Sequence, residues 1–145
     1  MLQQIAFGSL LMVASVVMSG MTFWALELVL ARATPWLVQP PHRLKLFMVV
    51  IATSLAVMAM VTMSVWLWAV VLHLMGIFQG FEQAMYFTLV TFTTLGYGDV
   101  LMPDQWRIMG GLAAVNGLVV FGLTTALMVE ALRHVRIRQI EFLKE

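Results

Sequence analysis

Cysteine is absent from this chain of 145 residues, and charged residues make up only 10% of it. The absence of cysteine excludes a disulfide scaffold, a thiolate metal site and a cysteine nucleophile. The scarcity of charge excludes an ordinary soluble domain, because a chain of this size needs a more polar surface to stay in solution. Hydrophobic residues account for 62% of the sequence instead. The composition therefore predicts an integral membrane protein.

Three stretches are long and uncharged enough to cross a bilayer, which takes about 20 apolar residues. They are 5–26, 46–74 and 108–129. The first is preceded by no positive charge and is too long for the apolar part of a signal peptide, so we interpret it as a retained helix. The predicted fold class is an all-α membrane protein with three transmembrane helices.

The segment 76–106, between the second and third stretches, has a different pattern. Apolar and small residues recur there at helical spacing over about 13 positions, which is too short a helix to cross a bilayer. A run of Thr, Gly and Tyr that cannot form a regular helix follows. Non-helical backbone at membrane depth is tolerated only where protein buries it or where it lines an aqueous path. The pattern therefore predicts a re-entrant pore helix followed by a pore loop.

Basic residues are distributed unevenly along the chain. Arg107 alone lies on one side of the predicted membrane, and the other seven lie beside the 32–45 loop or after the third span: Arg32, Arg43, Lys45, Arg133, Arg136, Arg138 and Lys144. By the positive-inside rule, the loop and the C-terminal tail are predicted to be cytoplasmic, which places the N-terminus and the pore loop outside. No span carries a ladder of basic residues, so we expect no voltage sensor of the four-helix type.

The stretch Thr94-Leu95-Gly96-Tyr97-Gly98 has the composition of an ion-selectivity filter. A selective pore replaces the hydration shell of an ion with fixed oxygens, and successive backbone carbonyls that point at one axis supply them. Such a backbone alternates between left-handed and right-handed conformations, and glycine adopts the left-handed ones without a Cβ penalty. The Thr94 hydroxyl would add a further ligand. One strand gives a quarter of the coordination shell, so the pattern predicts four copies.

The heptad Thr-Thr-Leu-Gly-Tyr-Gly-Asp, which ends at Asp99, resembles the filter signature of the potassium-channel pore family. The resemblance covers about 46–132 and implies passive K⁺ conduction by a homotetramer in a bacterial cell membrane, in contact with lipid. K⁺ would bind the carbonyls of Thr94, Leu95, Gly96 and Tyr97 and the Thr94 hydroxyl. No enzymatic activity, other cofactor or nucleic-acid partner is implied. Residues 1–45 would form an additional N-terminal helix with its loop, and 133–145 a short cytoplasmic tail.

Further residues take roles by alignment with this family. Tyr86 is expected to donate its hydroxyl to Asp99, and Thr91 to bond Tyr97, whose ring would wedge the filter against the pore helix. The sequence departs from the family at two supporting positions. Phe87 stands where an aromatic residue usually donates a hydrogen bond, and Val90 where some bacterial members carry a glutamate.

The third span resembles the inner helix of bacterial two-helix potassium channels. Gly117 corresponds to a residue described there as a gating hinge, although close helix packing is an equally good interpretation. Leu118, Thr125 and Val129 would face the conduction path. Asn116 either lines the cavity or makes an interhelical hydrogen bond.

Two other functions remain open at this point. One is a non-selective cation channel on the same scaffold, which Tyr97 disfavours because those relatives look like the same scaffold with an acidic residue at this position. The other is a non-conducting membrane subunit or a transporter subunit. A single loop with a full signature favours the channel over both.

Overall fold

The computed structural model describes residues 1–142, so Lys144 lies outside the described residues. It contains four α-helices and one short 3₁₀ helix, at Asp104–Trp106. The α-helices are α1 (Leu2–Leu37), α2 (His42–Leu74), α3 (Phe81–Phe92) and α4 (Arg107–Phe142). No strand is present within this part of the chain. Three helices are long and apolar enough to cross a membrane, which confirms the predicted all-α class with three spans.

The long helices extend beyond the apolar stretches that predict them. Arg32 lies inside α1, and Arg43 and Lys45 lie inside α2, so only 38–41 separate the two helices. The predicted 32–45 loop is therefore wrong in its extent. An apolar stretch stops at the first charge, whereas a helix ends where its backbone hydrogen bonds stop. Two consecutive prolines, which donate no amide hydrogen, lie at that point.

The chain divides into two compact units. The first comprises Met1–Met18 and Val61–Gly122, and all four helices contribute to its core. Trp68 is completely buried, and its ring meets that of Phe92 edge-on, with 6.2 Å between centroids. This unit contains α3 and the predicted filter, so its packing positions the candidate site.

The second unit comprises Ser19–Met60 and the chain from Leu123 onward. Its core is made by leucine, valine and alanine side chains of α1, α2 and α4: Leu26, Leu30, Leu37, Val49, Leu127, Ala131 and Val135. The last carbonyls of α1 have partners from the other two helices. Lys45 donates to the Trp36 carbonyl, and Gln139 donates to the Leu37 carbonyl at 3.1 Å. A cation there also suits the negative end of the helix dipole.

Large apolar side chains are exposed along all three long helices, among them Leu10, Val17, Trp24, Leu55, Met58, Trp66 and Val129. Contiguous apolar surface of this extent is unfavourable in water and suits the hydrocarbon interior of a bilayer. Together with the three helices of spanning length, it identifies an integral membrane protein.

Candidate functional site

The candidate site begins where α3 ends. One face of this helix is buried through Ala84, Phe87, Thr88 and Phe92, a helical spacing that fixes α3 in the core of the first unit. Two hydrogen bonds close its C-terminus: the Thr94 amide donates to the Thr91 carbonyl at 3.0 Å, and the Leu95 amide to the Val90 carbonyl at 3.1 Å. This pair of bonds is a Schellman motif, which requires a left-handed residue just after the helix.

The backbone after α3 has a positive φ at every second residue. The φ angles are 57° at Thr94, 55° at Gly96 and 80° at Gly98, and the residues between them have none. Both glycines therefore have the left-handed conformation that the sequence predicts for them. Thr94 was not foreseen as a left-handed residue, because a side chain makes this conformation cost about 1–2 kcal/mol. The Schellman bonds of the preceding helix explain why Thr94 adopts it.

The side chains of this segment do not pack on their own chain. Residues 93–99 are all exposed, with Leu95 at 55% and Tyr97 at 67% of their full accessibility. The expected wedge of Tyr97 against the pore helix and its bond from Thr91 are therefore not formed within the described chain. Thr91 is half-buried, and its carbonyl accepts the Thr94 amide instead.

Tyr86 and Asp99 join α3 to the end of the candidate filter. The Tyr86 hydroxyl donates to Asp99 Oδ2 at 2.6 Å, so the predicted hydrogen bond is present. The other carboxylate oxygen accepts the Val100 amide at 3.0 Å. The bond from Tyr86 lowers the pKa of the Asp99 carboxyl, and the same bond raises the pKa of the Tyr86 hydroxyl. The contact therefore holds Asp99 in its ionised form.

Phe87 supports the site through apolar packing. It is buried, and its ring lies tilted against Phe78 with 5.1 Å between centroids. The neighbouring α4 comes close enough that a Cβ on Gly110 would lie 3.4 Å from Phe87 Cζ. Aromatic pairs of this kind are stabilising beyond the area they bury. Phe87 therefore replaces a hydrogen bond with packing.

Gly117 lies where α4 contacts the C-terminal end of α3. A Cβ at this position would come within 2.6 Å of Phe92 Cα and 2.8 Å of its carbonyl carbon, which real Cβ atoms do not do. The glycine is thus required for the close approach of the two helices. The α-helix continues unbroken through Gly117, and the hinge role remains a prediction.

Two further predictions concern side chains of α4. The Asn116 amide donates to Ser15 Oγ of α1 at 3.2 Å, so the interhelical hydrogen bond is the interpretation that the structure favours. Leu118, Thr125 and Val129 are exposed on the described chain, with Leu118 and Val129 at about 60%. Their exposure leaves them accessible to an aqueous path, and their role there remains a prediction.

Comparison with known proteins gives one match. Residues 58–134 match the family model described as "Ion channel", which amounts to more than half of the chain. The matched region contains α3, the segment with alternating φ and α4 as far as His134, and it leaves out α1. Searches of curated proteins and of solved structures found no match.

Proposed function

Because this chain belongs to the ion-channel family, we propose that it conducts K⁺ selectively and passively through a pore made by four copies. The observation that carries the proposal is the positive φ at Thr94, Gly96 and Gly98 within the filter-like sequence. Alternation of this kind directs successive carbonyls of a strand toward one side, as ion coordination requires. Ions pass down their electrochemical gradient, and no covalent chemistry takes place.

The proposed K⁺ ligands are the backbone carbonyls of Thr94, Leu95, Gly96 and Tyr97, with the Thr94 hydroxyl at the inner end. Carbonyl oxygens replace the hydration shell of K⁺ without an acidic side chain. Leu95 stands at a position where only the carbonyl would face the ion, so its side chain affects packing behind the filter. Gly98 completes the filter segment, and Asp99 supports it.

The exposure of the filter segment supports assembly of several copies. Backbone without regular structure must be buried in protein or line water at membrane depth, and in one chain residues 93–99 are covered by neither. Four copies around one axis would complete the carbonyl rings and bring a neighbouring subunit against the exposed ring of Tyr97. The homotetramer is therefore part of the proposal.

The proposal gives α3 and α4 distinct roles. With 12 residues, α3 is only about 18 Å long, too short for a hydrocarbon core of about 30 Å, so it would enter the membrane without crossing it. Its C-terminal end carries the negative pole of the helix dipole toward the inner cavity, where it would stabilise a cation. Leu118, Thr125 and Val129 of α4 would line the path below.

The orientation in the membrane rests on the distribution of basic residues. We place the N-terminus and the filter outside and the C-terminal tail in the cytoplasm of a bacterial cell. A membrane-impermeant reagent is expected to label an N-terminal tag in intact cells. Labelling that requires lysis would invert this orientation.

The function is tested by recording from the purified full-length chain in planar bilayers with asymmetric K⁺ and Na⁺. Reversal potentials are expected to follow the K⁺ gradient. Equal permeability to the two ions would support the non-selective cation channel instead. A tetramer that passes no current would support the non-conducting membrane or transporter subunit.

Tyr86→Phe is expected to make Asp99 easier to protonate. Without the hydroxyl, the pKa of Asp99 rises toward its ordinary range, because that hydrogen bond is the main cause of its lowering. A lowered carboxyl pKa stabilises the folded state fully above the ordinary pKa of aspartate, and the stabilisation is lost as pH falls through the lowered pKa. The loss of sustained current on external acidification should therefore begin at higher pH in the variant.

Asp99→Asn is the companion variant in this experiment, recorded at low external K⁺. It should shorten sustained conduction in the same direction and remove the titration altogether. The double variant should be less than additive if the two side chains act as partners. Currents from Tyr86→Phe that keep the wild-type pH dependence would show that another contact holds the filter.

A further inference from the structure

The first helix lies outside the matched region, yet it holds α4 at three successive positions. Gln4 accepts the Ile108 amide at 3.1 Å, and its own amide donates to the Gln105 carbonyl. Four residues on, Gly8 lies so close to Leu112 that an added Cβ would be 3.2 Å from Leu112 Cβ. The positions ascend both helices together, so within this unit α1 runs parallel to α4.

The third contact is the hydrogen bond between Asn116 and Ser15. Both side chains are completely buried, and the bond spans the two helices at 3.2 Å. Asn116 Oδ1 has no hydrogen-bond partner in the described chain, so the bond to Ser15 satisfies one end of a buried amide whose other end has none. Polar groups buried between apolar helices need partners, and loss of this one would leave the amide without any.

Asn116 is adjacent to Gly117, the residue that contacts α3. The two residues face different neighbours: Asn116 faces α1, and Gly117 faces the backbone of Phe92. Phe92 is the last residue of α3, and Thr94, the first left-handed residue, follows it by two positions. The α4 segment is thus held between α1 on one side and the start of the candidate filter on the other.

We infer that α1 is a positioning helix for the inner end of the filter. Ser15 acts through Asn116 to hold Gly117 against Phe92, and this contact sets the position of Thr94. The inference rests on the proposed function, because it assigns α1 a role in K⁺ binding by that filter. Ser15 and Asn116 are positioning residues, since neither touches the ion.

The test measures the K⁺ affinity of the filter without a conduction assay. The purified full-length protein in detergent is heated at a series of K⁺ concentrations, with Na⁺ replacing K⁺ to keep ionic strength constant. Binding of K⁺ to the folded protein raises the unfolding temperature in proportion to occupancy, so the curve yields a K⁺ midpoint. A purely structural contact would lower the unfolding temperature at every K⁺ concentration and leave the midpoint unchanged.

Ser15→Ala is expected to raise the K⁺ midpoint by about three- to twentyfold, the range given by hydrogen bonds between membrane helices. Ser9→Ala is the matched control, because Ser9 lies on the same helix with an exposed side chain. Asn116→Ala should raise the midpoint similarly, and the double variant should add little. If Ser15→Ala does not assemble, the nearly isosteric Ser15→Cys replaces it in the series.

The outcomes separate this inference from the function on which it rests. A wild-type protein with a K⁺ midpoint and K⁺-selective current, together with a Ser15→Ala midpoint equal to that of wild type, would overturn the inference and leave the channel intact. A wild-type protein that neither responds to K⁺ over Na⁺ nor carries selective current would overturn both. A raised midpoint in Ser15→Ala with an unchanged Ser9→Ala control supports the inference.

Discussion

Gly117→Ala is expected to separate α4 from α3 and to reduce the yield of assembled, conducting channel severely. The added Cβ would lie 2.6 Å from Phe92 Cα, and the obstacle is backbone, which cannot move aside as a flexible side chain can. Overpacking a filled interior costs about 1–3 kcal/mol and occasionally more. The gain of about 1 kcal/mol in helix propensity is smaller. The net effect in each subunit is therefore destabilising.

Gly111→Ala is the matched control for this prediction. It makes the same change in the same helix, but nothing lies within 4 Å of the added Cβ. It should assemble like wild type. The measurements are the tetramer fraction by size-exclusion chromatography with light scattering, the unfolding temperature and the K⁺ current.

The same pair of variants separates packing from hinge bending at Gly117. A residue needed only as a hinge would allow normal assembly of Gly117→Ala and change only the open probability. A residue needed for close approach would impair assembly itself. Assembly and current equal to those of wild type would contradict the contact between Gly117 and Phe92.

Gly96→Ala is expected to abolish K⁺-selective current. No atom lies within 4 Å of the position, so the added methyl group meets no obstacle in the described chain. The backbone is the reason: φ is 55°, and a side chain makes this conformation cost about 1–2 kcal/mol in each copy. Four copies in one pore would each carry this penalty at the ion-binding carbonyls. Relaxation toward negative φ would turn one carbonyl of each ring away from the axis.

Gly80→Ala is the control, because its surroundings are equally open but its φ is −104°. It should retain the wild-type reversal potential. Gly96 is less well supported than Thr94, which tolerates its positive φ within two Schellman bonds at 3.0 and 3.1 Å. The Gly96 amide makes one bond, to the Val90 carbonyl at 3.3 Å. A Gly96→Ala channel that still selects K⁺ over Na⁺ would argue against ion binding by this segment.

The sequence by itself determined the features that depend on composition and on nearby residues. Bilayer insertion follows from apolar length, so the three spans were predictable from their residues alone. The positive φ of Gly96 and Gly98 follows from what only glycine adopts freely. The contact of Tyr86 with Asp99 was predictable because 13 residues separate them within one motif, and the family resemblance supplied their pairing.

Only the tertiary structure decided how the long helices meet. Their surfaces are apolar on nearly every side, so no polar stripe in the sequence indicates which face contacts a neighbour. The bond of Ser15 with Asn116 joins residues 101 positions apart, and the choice of Phe92 as the neighbour of Gly117 likewise depends on the final packing. The left-handed Thr94 belongs to the same class, since its conformation follows from where α3 ends. In a lipid-soluble bundle, shape complementarity and a few buried polar groups select the contacts, and both exist only once the helices are packed.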